Sequence, residues 1–210
     1  MKYIIPVILL AVTLSCEKKE KQFDADGVLL AQFLESDSGS GLDFSPMQND
    51  DSSRVINFTP TIYNFKKKPY TGKVTAYDDK QRKIFDGNLN DGLPEGNWIF
   101  YYASGVVQIE GTYTKGLETG IWKNYYTVDK PKVIKQYDQS GYLLMRKEFY
   151  DTGKLKNYQN VKCPQYGDIA RRVQFKYNGA IEYLDAEREL GKLDPAELQT
   201  VLLNDKLMVK

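Results

Sequence analysis

The chain has 210 residues, with 29 Lys and Arg against 28 Asp and Glu, a formal net charge of +1 and no histidine. Near-neutrality offers no basic stripe to a nucleic acid, so no nucleic-acid partner is expected. Without histidine the commonest general base and metal ligand are missing, and neither a distinctive carboxylate pair nor a phosphate-cradling glycine loop replaces them. The expectation is a non-enzyme with no metal and no cofactor.

In chain order, Lys2 gives a positive start and Ile4 to Leu14 forms a mostly apolar run of eleven residues. A helix that spans a bilayer needs ~20, so residues 1–15 read as a signal peptide rather than an anchor. Cys16 follows, and its setting resembles the acylation site of bacterial lipoproteins, with Thr13 where that motif has leucine. The resemblance implies a lipid anchor on Cys16 and, since Glu17 is not aspartate, the outer membrane of a Gram-negative envelope. Ordinary secretion with cleavage nearby is the alternative. Residues 16–54 read as tether and loop: the charge cluster 17–21, an irregular apolar stretch Phe23 to Glu35 open to helix or strand, and a Ser/Gly/Asp-rich segment from Ser36. Cys163 is the one other cysteine, which leaves no intramolecular disulfide, and it reads as a small packed residue.

Residues 55–162 form the repeat domain. Gly87, Gly92, Gly96 and Trp98 return 24 residues later as Gly111, Gly116, Gly120 and Trp122, and Tyr101-Tyr102 returns as Tyr125-Tyr126. A fixed period of this size marks a repeat architecture, which builds surfaces more readily than catalytic pockets. Short aromatic and β-branched runs are predicted as strands over Val55–Phe58, Thr61–Phe65, Lys73–Tyr77, Ile84–Leu89, Trp98–Tyr102, Val106–Tyr113, Ile121–Tyr126, Val133–Tyr137, Tyr142–Tyr150 and Lys154–Gln159. Ala103-Ser104-Gly105 and Asp151-Thr152-Gly153 read as hairpin turns at one end, with Asn90-Asp91-Gly92 and Thr114-Lys115-Gly116 at the other. One repeat is one β-hairpin, and the fold class is mainly β: an elongated antiparallel meander. The third unit is degenerate, with Asp129-Lys130-Pro131 in place of the Ser-Gly turn.

The pattern Tyr-Tyr-x-x-Gly followed by Gly-x-Tyr-x-x-Gly-x-x-x-Gly-x-Trp, from Tyr101 to Trp122, resembles the MORN-repeat-variant family, many of whose members are described as YwqK-type antitoxins. The resemblance covers roughly Tyr70 to Gln159. It implies an elongated sheet of successive hairpins that binds partners rather than catalyses, with immunity against a toxin as one version.

Strand alternation places Trp98, Trp122, Tyr102, Tyr126 and Tyr150 in one ladder and Tyr77, Tyr101, Tyr125 and Phe149 in another, on the opposite face. Both ladders can be packing, or one can be left open as a binding surface. The second ladder supplies the candidate stacking residues, and the glycines and tryptophans are structural. A protein partner is the leading expectation. A glycan or peptidoglycan, or a structural envelope role, is the alternative; coplanar exposed aromatics flanked by Asp, Asn or Gln would mark a glycan site. Residues 163–210 read as a C-terminal strand around Val173–Tyr177, a turn at Asn178-Gly179, and a helix. The helix starts at Asp194-Pro195-Ala196-Glu197, presents Leu198, Val201, Leu202 and Leu203, and covers a face or edge of the sheet.

Overall fold

The computed structural model describes residues 21–36, 60–163, 168–185 and 190–205. The signal peptide, Cys16, most of the charged tether, and the strand expected over Val55–Phe58 lie outside these residues, as does the side chain of Cys163.

The strands are β1 (Leu29–Leu30), β2 (Glu35–Ser36), β3 (Tyr63–Phe65), β4 (Lys68–Pro69), β5 (Gly72–Tyr77), β6 (Lys83–Asn90), β7 (Leu93–Tyr101), β8 (Val107–Thr114), β9 (Leu117–Thr127), β10 (Lys130–Tyr137), β11 (Leu143–Phe149), β12 (Leu155–Cys163), β13 (Asp168–Phe175) and β14 (Ile181–Asp185). Helix α1 covers Pro195–Asn204. From β5 to β14 the chain is an antiparallel meander in sequence order, and β1 adds to β5 in parallel to complete an eleven-stranded sheet. Strands β2, β3 and β4 form a small second sheet. The irregular stretch from Phe23 resolves into a Phe23–Leu29 bridge, β1, a single 3-10 turn at Ala31–Phe33 and β2.

At one end of the hairpins, Asp91 and Gly92 both have positive φ (53° and 78°), as do Lys115 and Gly116 (50° and 81°). That pair of signs is the type I′ turn, whose twist matches the flanking strands. Each such turn docks on the preceding unit. Gly92 N–H donates to the Tyr70 carbonyl at 2.9 Å and Gly116 N–H to the Pro94 carbonyl at 2.8 Å. At the other end Gly105, Gly153 and Gly179 close three-residue turns, each donating its N–H to the carbonyl three residues back. There the tyrosine hydroxyls reach forward. Tyr102 donates to the Tyr125 carbonyl (2.5 Å), Tyr126 to that of Phe149 (3.0 Å) and Tyr150 to that of Phe175 (2.7 Å). The last staple carries the meander past residue 162, without a break in the sheet, into β13.

Residues directly opposite in an antiparallel ladder share a face. The register Ile99–Glu110–Lys123–Ile134–Lys147–Tyr158–Val173–Leu184 therefore traces one face across eight strands, and Trp122–Lys135–Arg146–Gln159–Arg172 traces the other. The core changes sides between them. In the N-terminal part it lies on the tryptophan face, where Phe85, Leu89, Trp98, Phe100, Ile109, Tyr113 and Trp122 cluster with Leu29, Leu34 and Tyr63. In the C-terminal part it lies on the opposite face, where Met145, Phe149, Leu155, Tyr158, Val173 and Phe175 pack under Leu198 and Leu202 of α1. Val201 and Leu203, expected with the packed residues of the helix, are exposed. Asp194 and Glu197 form the expected capping box.

Candidate functional site

The tryptophans are buried by a bulge and a glycine. Gly96-Asn97-Trp98 on β7 stands opposite the single Gly87 on β6, and Gly120-Ile121-Trp122 on β9 stands opposite Gly111 on β8. Gly96 (φ 72°) and Gly120 (φ 66°) provide the left-handed residue that such bulges use. The extra residues fold each indole onto the facing glycine: a Cβ on Gly87 would sit 2.3 Å from the Trp98 ring and one on Gly111 2.0 Å from the Trp122 ring. Each indole N–H then donates at 3.2 Å to a strand carbonyl, Trp98 to Asn88 and Trp122 to Thr112. Gly92 and Gly116 close the type I′ turns. All eight repeat residues are thus structural, and Trp98 and Trp122 are 0% and 2% exposed.

Register places Tyr77, Tyr101, Tyr125 and Phe149 on one face, opposite the tryptophans. Their surroundings differ. Phe149 is 6% exposed and belongs to the core beneath α1, so it presents no stacking surface. Tyr77 is half-buried, with its hydroxyl 3.3 Å from Asp24 and the Lys83 ammonium 5.9 Å from its ring centroid. Tyr101 and Tyr125 are half-buried on a part of the face with no covering element among the described residues, and both use the same device. Tyr101 donates to Asp86 Oδ2 at 3.1 Å and Tyr125 to Glu110 Oε1 at 2.6 Å, at a sequence separation of 15 in each case. Burial, then the bonded carboxylate, raises both phenol pKa values, that of Tyr125 to about 12. The carboxylates also have lysine partners, Lys83 to Asp86 at 3.0 Å and Lys123 to Glu110 at 3.7 Å. The hydrogen bond to Asp86, first, raises the Lys83 pKa.

Between these polar pairs lie isoleucines, of which strand alternation in the sequence places Ile99 beside Tyr101 but does not single out Ile84 and Ile121. Ile84 is 42% and Ile121 55% exposed, and Ile99 is half-buried beside Tyr101. The same period-two alternation, run back from Tyr125, was the signal that could have found Ile121. The open face is therefore apolar side chains interleaved with internally neutralised Tyr–carboxylate–Lys groups. Among the described residues no cluster of His, Cys, Asp or Glu could hold a metal ion, and no helix is long and apolar enough to cross a membrane.

Successive hairpins of like sequence, each bonded to its neighbours, define a β-repeat protein. The family model of the MORN repeat variant matches residues 94–115, which run from the bulge strand of one unit to the turn of the next. A search of curated proteins gives no match.

Proposed function

We propose that this is a non-enzymatic, lipid-anchored protein of the cell envelope that binds a protein partner through the open face of its repeat sheet. The observation that carries the reading is the exposure of Ile84 and Ile121 on the face of Tyr101 and Tyr125. Apolar and tyrosine side chains grouped with few unpaired charges are the composition of a protein-binding centre. The glycan alternative calls for flat exposed rings. On this face Ile84 and Ile121 are exposed while Tyr101 and Tyr125 are half-buried, and the two tyrosine hydroxyls are engaged by Asp86 and Glu110.

The test is affinity capture of the anchored protein from its native envelope after mild crosslinking, with mass spectrometry of what co-purifies. A single stoichiometric protein, lost on Tyr101→Ala or Tyr125→Ala, is the expected result, and a toxin domain would make the role immunity. Glycan alone, or nothing above background, would overturn it. The anchor is tested separately: Cys16→Ser should abolish lipid labelling and release the protein from membranes, and unchanged membrane fractionation would refute it.

A further inference from the structure

Helix α1 already occupies the C-terminal part of this face, and the repeat shows what it rests on. Shifted by 24 residues, Met145, Lys147 and Phe149 on β11 correspond to Ile121, Lys123 and Tyr125 on β9, and the register Lys123–Ile134–Lys147 puts both sets on one face. On β11 all three are 6% exposed. Met145 and Phe149 pack with Leu198 and Leu202, one helical turn apart on α1. Lys147 Nζ donates to the carbonyls of Leu203 and Asp205 at 2.9 and 3.0 Å, acceptors that the end of a helix leaves without intrahelical partners.

On β9 no described element covers the same three positions, and Lys123 and Tyr125 are half-buried. Ile121 is 55% exposed. Lys123 has the 3.7 Å contact with Glu110, an exposed pair that costs little to break. The open seat adjoins the filled one, because Ile134, between the two lysines, already packs against the α1 core. One repeat is two strands, about 9.6 Å, and packed helices lie about 8–10 Å apart, so a helix on β9 would meet the side of α1 at normal packing distance. Helix α1 keeps Val201 (44%) and Leu203 (43%) exposed, one on each side of its Leu198–Leu202 stripe.

We propose that the β8–β10 part of the open face is a seat for an amphipathic α-helix of a partner protein. Two apolar residues spaced i, i+4 rest on Ile121 and Tyr125, and the last helix carbonyls accept from Lys123 Nζ. This rests on the protein-binding reading above and specifies the partner's binding element. A second copy of the chain is a poor donor, since its α1 is already engaged on its own sheet.

The probe is a fluorescent peptide with the sequence of residues 193–205, helix-stabilised by a side-chain crosslink between positions 196 and 200, both exposed in α1. Saturable binding to the full chain is expected. It should weaken about tenfold or more when Leu198 and Leu202 of the peptide are replaced by Gln. Ile121→Asp and Lys123→Glu in the protein should weaken it similarly, with the melting temperature unchanged. Absence of saturable binding overturns the proposal. So does binding that survives both protein substitutions, because the peptide would then be exchanging with α1. A partner captured through Tyr101 and Tyr125 alongside a failed peptide would retain the protein-binding reading and remove the helix.

Discussion

Among the described glycines, Gly87 and Gly111 are the most closely approached, since the face of an indole lies where a side chain would begin. Gly111→Ala should therefore cost about 1–3 kcal/mol by overpacking, and Trp122→Ala about 3–5 kcal/mol by cavity formation. Denaturant unfolding measures both, and an unchanged midpoint for Gly111→Ala would show that the indole moves freely. The recurrence of glycine and tryptophan is visible in the chain, but the contact pairs Trp98 with the glycine eleven residues before it, across a bulge that spacing alone does not reveal. Tyr125 gives a second prediction. Its hydroxyl, half-buried and bonded to Glu110, is pushed up to about 12 from an ordinary value of 10. Between those values the folded chain keeps a proton that the unfolded chain has lost, so this stability is full below about pH 10 and declines toward pH 12. Melting curves from about pH 9 to about pH 12 should fall less steeply for Tyr125→Phe. Identical slopes would mean that the hydroxyl titrates alike in both states.

The hairpins hold together through bonds that leave each element. Tyr126→Phe deletes the staple from the end of β9 to the end of β11 and should cost about 1 kcal/mol. Tyr102→Phe and Tyr150→Phe serve two other junctions, so the pair should be additive, and a large coupling energy in a double-mutant cycle would contradict independent junctions. The repeated strands and their turns were legible because glycine, aromatic and β-branched residues alternate there at fixed spacing. The two-residue strands β1 and β2 were not, because so short a segment has no period and is held by partners distant in sequence, such as Val74 for Leu29. Position 149 was misjudged for a related reason. Its place in the ladder was correct, but only a helix some fifty residues later, with Leu198 and Leu202, decides that Phe149 is covered while Tyr125 is open.

Two cores on opposite faces of one sheet should respond separately. Leu202→Ala removes a fully buried side chain from the α1 core and should cost about 2–5 kcal/mol there. Hydrogen exchange should accelerate in β11–β13 while β6–β8 stay protected; uniform acceleration would mean a single cooperative unit. The change of faces was hidden in the sequence because Lys147 looks like a solvated lysine and Gln159 lies at a strand position indistinguishable from an exposed one, yet both are buried. The contacts between units also have a direction. Turn N–H groups bond backward to the unit already made, while tyrosine hydroxyls bond forward to a carbonyl 23 or 25 residues further on. A chain that appears from its N-terminus can therefore dock each new turn at once, but its newest tyrosine waits for sequence still to come. A growing array always ends in an unmet donor, and it is the strand carrying Phe175 that brings the series to a close.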